Sequence, residues 1–294
     1  LADNYSGDIP FDLQMILIPG DLVDNGWSYS QWANTFFAPA HPLFAHVPLY
    51  PVLGNHESDT DYYFNYFHLP ETGTSGYEEH WWFTDYSNLR VVGLDSNSGY
   101  QLDVQLIWLE DVLANTCDNS SIDFVFAQLH HPYKSELWLA GETDFTGEVI
   151  SRMEAFTTEC GKPSIHFFGH THGYSRGQSR DHEHLWVNVA TAGGNIDYWG
   201  EYAQADYPEF TVSQDEWGFV MVEVEAGDDP SFIMKRISRG NEDVFRDNEL
   251  RDEMHIRLHN EMPNTPVGIY PEGFGIDPDM LILEASSFQD ADND

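Results

Sequence analysis

From its start to about residue 237 the chain alternates short apolar runs with polar turns. "LQMILIPG" (13–20) and "PLYPVLGNHES" (48–58) each begin with an apolar stretch that predicts a strand and end in a polar, glycine-containing turn. Between them, "WSYSQWANTFFAPAHPLF" (27–44) reads as a helix up to its prolines, and "DTDYYFNYFHL" (59–69) as an aromatic helix. "HWWFTDY" and "LRVVGLDS" alternate like the arms of a hairpin. In "LDVQLIWLEDVLAN" (102–115) apolar residues recur at spacings of three and four, as in an amphipathic helix. "IDFVFAQLHHP" (122–132) predicts a buried strand and "TGEVISRMEAFTTEC" (146–160) a helix. Residues 164–168 (SIHFF) predict a strand covered on both faces. "LWVNVATAGG", "WGFVMVEVE" and "SFIMKRIS" then follow as strands without helices. Strands alternating with helices predict an α/β domain with largely parallel pairing, and the late strands a mixed or second packed sheet.

In such folds, sites gather beyond the carboxyl ends of strands. Four predicted strands end in polar clusters, "PGDLVDNG", "LGNHES", "LHHPYKS" and "GHTHG". Together they supply Asp21, Asn55, His56, His130, His131, His170 and His172. In extended geometry residues i and i+2 face one side, about 6.6 Å apart, so His170 and His172 can enter one site, with Gly169 and Gly173 letting the backbone bend around them. An Asp, Asn and His set suits Zn, Mn or Fe(II) better than Mg or Ca, which favour all-oxygen shells.

The blocks "GDLVD", "GNHE", "HHP" and "GHTH" resemble those of the calcineurin-like metallophosphoesterases in order and residue type. The resemblance runs over roughly residues 10–237. "GHTHGYSRG", "QLIWLEDVL" and "FTDYSNLRVVGLDS" look nearest the purple-acid-phosphatase-like branch, although Asp24 stands where that branch has its purple-site tyrosine. The resemblance implies a four-layer α/β/β/α sandwich of two mixed sheets flanked by helices. It implies two divalent or trivalent transition-metal ions (Fe, Zn or Mn), about 3.5–4 Å apart. Asp21 would bridge them, Asn55, His130 and His170 would complete the shell of the second metal, and His172 would belong to the first metal. His56 would stabilise the phosphoryl group or protonate the leaving oxygen. A metal-activated hydroxide would hydrolyse a small phosphomonoester or phosphodiester. His131 and Arg176 are candidate substrate contacts, with a local salt bridge as the equal alternative for Arg176.

One family block, Asp-x-His, has no counterpart. Asp3, Asp8 and Asp12 are the only aspartates before Asp21, and none follows an apolar strand. The expectation is an N-terminally truncated domain (1–238) whose first strand lies upstream of Leu1. Residues 239–266 read as a linker or peripheral helix, and 267–294 as the start of a further module or an acidic tail. A non-catalytic binding module of a larger secreted protein is the competing reading, favoured if the missing block is a native loss.

Composition narrows the partners. Twelve Lys and Arg stand against 50 Asp and Glu, a net charge of −38, which disfavours nucleic acid and anionic membranes. No apolar run is long enough to span a bilayer. Cys117 and Cys160 each lie seven residues before a phenylalanine of a predicted strand, Phe124 and Phe167. If those strands are neighbours, the cysteines pair as a disulfide in an extracellular or periplasmic setting; otherwise they are two free thiols.

Overall fold

The computed structural model describes residues 12–260, 267–270 and 284–285. Strand β1 (Ile16–Ile18) pairs in parallel with β2 (Leu49–Pro51). A seven-stranded sheet contains β3 (Trp82–Tyr86), β4 (Leu89–Gly93), β5 (Phe124–Gln128), β6 (Ser164–Phe168), β7 (Tyr174–Gln178), β8 (His184–Val189) and β9 (Phe210–Gln214), in the order β3-β4-β5-β6-β8-β7-β9. Its centre, β4-β5-β6-β8, is parallel and its edges antiparallel. Helix α3 (Asp103–Asp118) crosses from β4 to β5, and α4 (Asp144–Cys160) from β5 to β6.

Alternation along β5 builds the layers. Phe124 and Phe126 point to one face, where they meet Phe232 at ring distances of 5.2 and 5.1 Å. Phe232 belongs to a three-stranded antiparallel sheet of β10 (Trp217–Glu225), β11 (Ser231–Gly240) and β12 (Phe245–Arg257). Val125 and Ala127 point to the other face and pack with Leu109 of α3 and Val149 of α4. Successive side chains of a strand face opposite ways, so an unbroken apolar run requires cover on both sides. The outcome is the expected α/β sandwich. Among the described residues its second β layer is split into a parallel pair and a three-stranded antiparallel sheet, rather than one mixed sheet.

Two expectations are corrected. The helix after β1 does not stop at its prolines: α1 continues from Tyr29–Gln31 through a π-helical stretch, Trp32–Phe37, into Ala38–Phe44. Trp32 and Phe37 pack their rings on Tyr66 and Phe67, next to α2 (Asp61–Tyr66) and at its end. This packing holds the segment while the wide turn absorbs the irregularity. Residues 239–257, expected as linker or helix, complete β11 and form β12. Charge conceals the alternation there. Met254 and Ile256 face the core, while Glu253 and His255, which alternate with them, sit opposite Lys235 and Ile233 of β11. Of 267–294, only the pairing of β13 (Gly268–Tyr270) with β14 (Glu284–Ala285) is described; the rest of that segment lies outside the described residues. Among the described residues no helix is long and apolar enough to cross a membrane.

The cysteines pair as expected. They sit near the ends of α3 and α4, with Cα atoms 5.4 Å apart and a sequence separation of 43. Closing a loop of that length restricts the unfolded chain by about 4 kcal/mol in the chain-entropy treatment.

Beneath the same sheet lies a buried polar chain. His166 Nδ1 and His184 Nε2 share a 2.9 Å hydrogen bond, and His184 Nδ1 meets Ser164 Oγ at 2.7 Å. Burial drives both imidazoles toward the neutral form, holding His166 at about 3 and His184 well below its ordinary value. The unfolded histidines take up protons below about pH 6.5 and the folded ones do not. Their contribution is therefore fully present above that pH and lost as pH falls. His184→Gln keeps a donor for Ser164 and an acceptor for His166. It should flatten the decline of stability between pH 6 and 4 by about 1.4 kcal/mol per pH unit. Urea unfolding at each pH reads this, and equal slopes in both proteins would refute it.

Candidate metal centre

Five loops at carboxyl ends of parallel strands supply the site. They carry Gly20-Asp21 after β1, Gly54 to Glu57 after β2, Asp95 to Asn97 after β4, His130-His131 after β5 and His170 to His172 after β6.

The centre is built around one nitrogen. His130 Nε2 lies 3.1 Å from Asp21 Oδ2, 3.0 Å from Asn55 Oδ1 and 3.1 Å from His170 Nδ1. Its other ring nitrogen, Nδ1, sits 2.8 Å from the Pro19 carbonyl. A carbonyl can only accept, so Nδ1 carries the proton, and in the neutral ring Nε2 is a lone pair. Lone pairs of a carboxylate, an amide oxygen and imidazole nitrogens thus point at one another. A cation between them satisfies all of these donors together, and His, Asn and Asp are ligands of transition metals. The hydrogen bond from Nδ1 to a carbonyl is the outer support that fixes the tautomer of a metal-binding histidine. The residues fit a metal ion.

The electrostatics favour the metal-binding form of Asp21, His131 and His170, and a proton on His130 that a bound cation would displace. Burial raises the Asp21 carboxyl, but the adjoining His130 outweighs it and holds Asp21 at about 2. Burial disfavours the His130 cation, yet the Asp21 carboxylate prevails and shifts it upward. Burial, then the neighbouring His130, lowers His170 to about 4 and His131 to about 3. Neutral imidazole is the form that binds metal. The ring nitrogens of His130, His131 and His170 offer ligand atoms all within 4.8 Å of one another.

Two residues of the cluster sit on strained backbone. Asp21 has φ +55° and His170 φ +67°, in the left-handed region that L residues with side chains avoid. In the Gly-His-x-His stretch it is therefore the histidine and not Gly169 that takes the unusual conformation, and residues 170–173 form a bend in place of the expected extended pair. Glu57 explains how Asp21 is held. Its fully buried carboxylate accepts N–H groups from Asp21 (2.9 Å), Leu22 (2.7 Å), Val23 (3.3 Å) and Gly54 (2.7 Å). The loops touch so closely that a Cβ on Gly54 would lie 2.3 Å from Asp21 Oδ1.

His56 projects beside this cluster. Its Nδ1 donates to the Asp24 carbonyl at 2.7 Å, and its Nε2 lies 4.0 Å from Asp21 Oδ2 on a side chain 40% exposed. Asp24 thus acts through its backbone, as a holder of the loop. His131 bonds Ser96 Oγ at 2.9 Å through Nδ1 and packs on the His170 ring. His172 stands apart from the four-atom cluster: its N–H donates to Asp197 (2.7 Å) and its ring nitrogen lies 3.7 Å from the same carboxylate. Arg176, expected either to contact substrate or to form a salt bridge, pairs with Asp252 of β12 through both Nε and Nη2. That partner could not be foreseen while β12 was read as a linker. Of the candidates for the missing block, Asp3 and Asp8 lie outside the described residues.

Sequence reasoning missed several supports. Glu57 was visible in "GNHE", but its four donors come from loops distant in sequence. Ser96 Oγ accepts N–H groups from both His130 (3.2 Å) and His131 (2.9 Å), and no motif marks it. His80 bonds the buried Asp95 at 2.8 Å, a pair that no motif marks either.

The sequence profile of the calcineurin-like phosphoesterase family matches residues 7–174. Two uncharacterized proteins from strains of Mycobacterium tuberculosis are 27% identical over 161 residues, 44% of this chain and 30% of theirs. The chain thus spans about a third of the length of these relatives. Among solved structures, a purple acid phosphatase from yellow lupin seeds shares the fold with a TM-score of 0.59 at 16% identity, over 83% of this chain and 46% of that one. The Plasmodium protein described as the anchor in the inner membrane complex shares it with a TM-score of 0.52 at 13% identity, over 81% and 79%. The layered fold, the polar blocks at strand ends and a family match over more than half of its length agree: the chain belongs to the calcineurin-like phosphoesterase family.

Proposed function

We propose that this protein is a dinuclear metal-dependent phosphoesterase that hydrolyses small phosphomonoesters or phosphodiesters. The observation that carries the reading is the convergence of Asp21, Asn55 and His170 on His130 Nε2, with His56 presented beside it. Asp21, Asn55, His130 and His170 would hold one metal, and Asp21 and His172 would contribute to a second. Ions of the Fe, Zn or Mn class would supply Lewis-acid activation of water and neutralise charge on the phosphoryl oxygens. The Asp24 carbonyl fixes the His56 ring through Nδ1. When the ring is protonated, Nε2–H is the proton that stabilises a phosphoryl oxygen or passes to the leaving alcohol. The disulfide supports an oxidising, extracellular or periplasmic location, and a link to further domains of a longer chain goes with the short span over the relatives.

The test is metal content together with turnover of p-nitrophenyl phosphate and bis(p-nitrophenyl) phosphate. His56→Gln should lower turnover about 10²-fold while bound metal is retained. A second reading, a non-catalytic module with one structural metal, is favoured by one observation: the four converging atoms account for a single ion, and His172 stands apart. Metal binding with no turnover of either ester would replace the enzyme reading with this one.

A further inference from the structure

We propose that Trp138 and Tyr202 form a leaving-group subsite that takes a planar, uncharged aromatic ring; the proposal rests on the phosphoesterase reading of the adjoining centre. The His170 ring packs between His131 and Trp138, at centroid distances of 4.5 and 5.2 Å. Trp138 in turn meets Tyr202 at 5.9 Å. Tyr202 is 44% exposed, so an aromatic wall runs from a metal ligand outward to solvent.

Tyr202 lies on residues 190–209, which join β8 to β9 with no helix or strand of their own. So long a structureless connection in a compact domain is uncommon and usually serves function. This one is tied down on both sides of the centre. Asp197 exchanges hydrogen bonds with His172, accepting its N–H at 2.7 Å and donating to its carbonyl at 2.9 Å. The Ala203 carbonyl accepts the Leu139 N–H at 3.1 Å, which holds Tyr202 against the segment that carries Trp138. Beneath, a Cβ on Gly141 would come within 3.0 Å of His170 and 3.1 Å of Trp138, so both rings close over that glycine.

Charge selects the ring. Lys134 and Arg176, the cations nearest in sequence to the His130-His131 and His170 to His172 loops, are committed to Glu209 and Asp252. With a net charge of −38 around it, the wall repels a leaving group that carries further phosphates or carboxylates. A neutral aromatic ring meets no such repulsion and gains ring-on-ring contact, which favours binding about tenfold over a small aliphatic group.

The experiment compares phenylphosphonate with methylphosphonate as inhibitors of glycerol 2-phosphate turnover by the metal-loaded protein. Quenching of tryptophan fluorescence gives an independent reading of phenylphosphonate binding. We expect phenylphosphonate to bind about tenfold more tightly. The preference should fall to about threefold or less in Tyr202→Ala and Trp138→Ala and persist in Tyr202→Phe. Equal affinity for the two phosphonates, or an unchanged preference in Tyr202→Ala, overturns the subsite and leaves the phosphoesterase reading intact. If the protein turns over no phosphoester and binds neither phosphonate, that reading fails and the subsite falls with it.

Discussion

Asp21→Asn is expected to strip the centre of metal and reduce turnover at least about 10³-fold, a loss of roughly 4 kcal/mol of transition-state stabilisation. The substitution conserves shape. The amide oxygen can still accept the His56 N–H that Asp21 Oδ1 accepts at 3.1 Å. What disappears is the charge, and the −NH2 or neutral oxygen that replaces Oδ2 faces His130 Nε2. His130 holds the Asp21 carboxyl at about 2, so the native group is ionised at every working pH. In the proposed dinuclear centre Asp21 would serve both ions, so a single substitution would weaken both. Metal stoichiometry after dialysis and p-nitrophenyl phosphate turnover read the effect. A variant that keeps its metal and stays within tenfold of the native rate would remove Asp21 from the centre.

Glu57→Gln should destabilise the fold by about 3 kcal/mol and weaken metal binding about 10- to 100-fold. Each Glu57 oxygen accepts two backbone N–H groups, Oε1 from Leu22 and Val23 and Oε2 from Asp21 and Gly54. Gln can offer an oxygen to one pair only. Whichever way it is turned, its −NH2 faces two N–H donors in a site with no exposure to solvent. The loops of Asp21 and Asn55 then lose their common anchor, and the left-handed conformation of Asp21 loses what sustains it. Denaturant unfolding of metal-free protein isolates the first effect, and metal titration the second. If unfolding is unchanged while metal binding weakens, Glu57 acts on the metal alone; if neither changes, it is not the anchor.

The elements and the ligands were legible in the sequence to very different degrees than their supports. Residues 164–168 and the helices around 102–115 and 146–160 could be read directly, because a core covered on both faces demands unbroken apolar strands and stripes with helical spacing. The same demand placed Asp21, Asn55, His130 and His170 at strand ends, and the structure brings those four together. Where charge or proline overrode local pattern, the reading failed. β12 alternates too weakly beneath its acidic residues to be recognised, and α1 is carried across Pro39 and Pro42 by aromatic packing from elsewhere in the chain.

By itself, then, the sequence determined the α/β class and the strand ends that carry the candidate metal ligands, since both follow from hydrophobic periodicity and short-range spacing; the pairing of Cys117 with Cys160 needed in addition that β5 and β6 be neighbours. Only the tertiary structure decided that Arg176 belongs to Asp252, that Glu57 ties two loops together, that His172 rests on Asp197 and that Trp138 meets both His170 and Tyr202. Those choices join residues from about 25 to more than 70 positions apart. Distance, burial and competition among many possible partners settle them, and a linear pattern carries none of these.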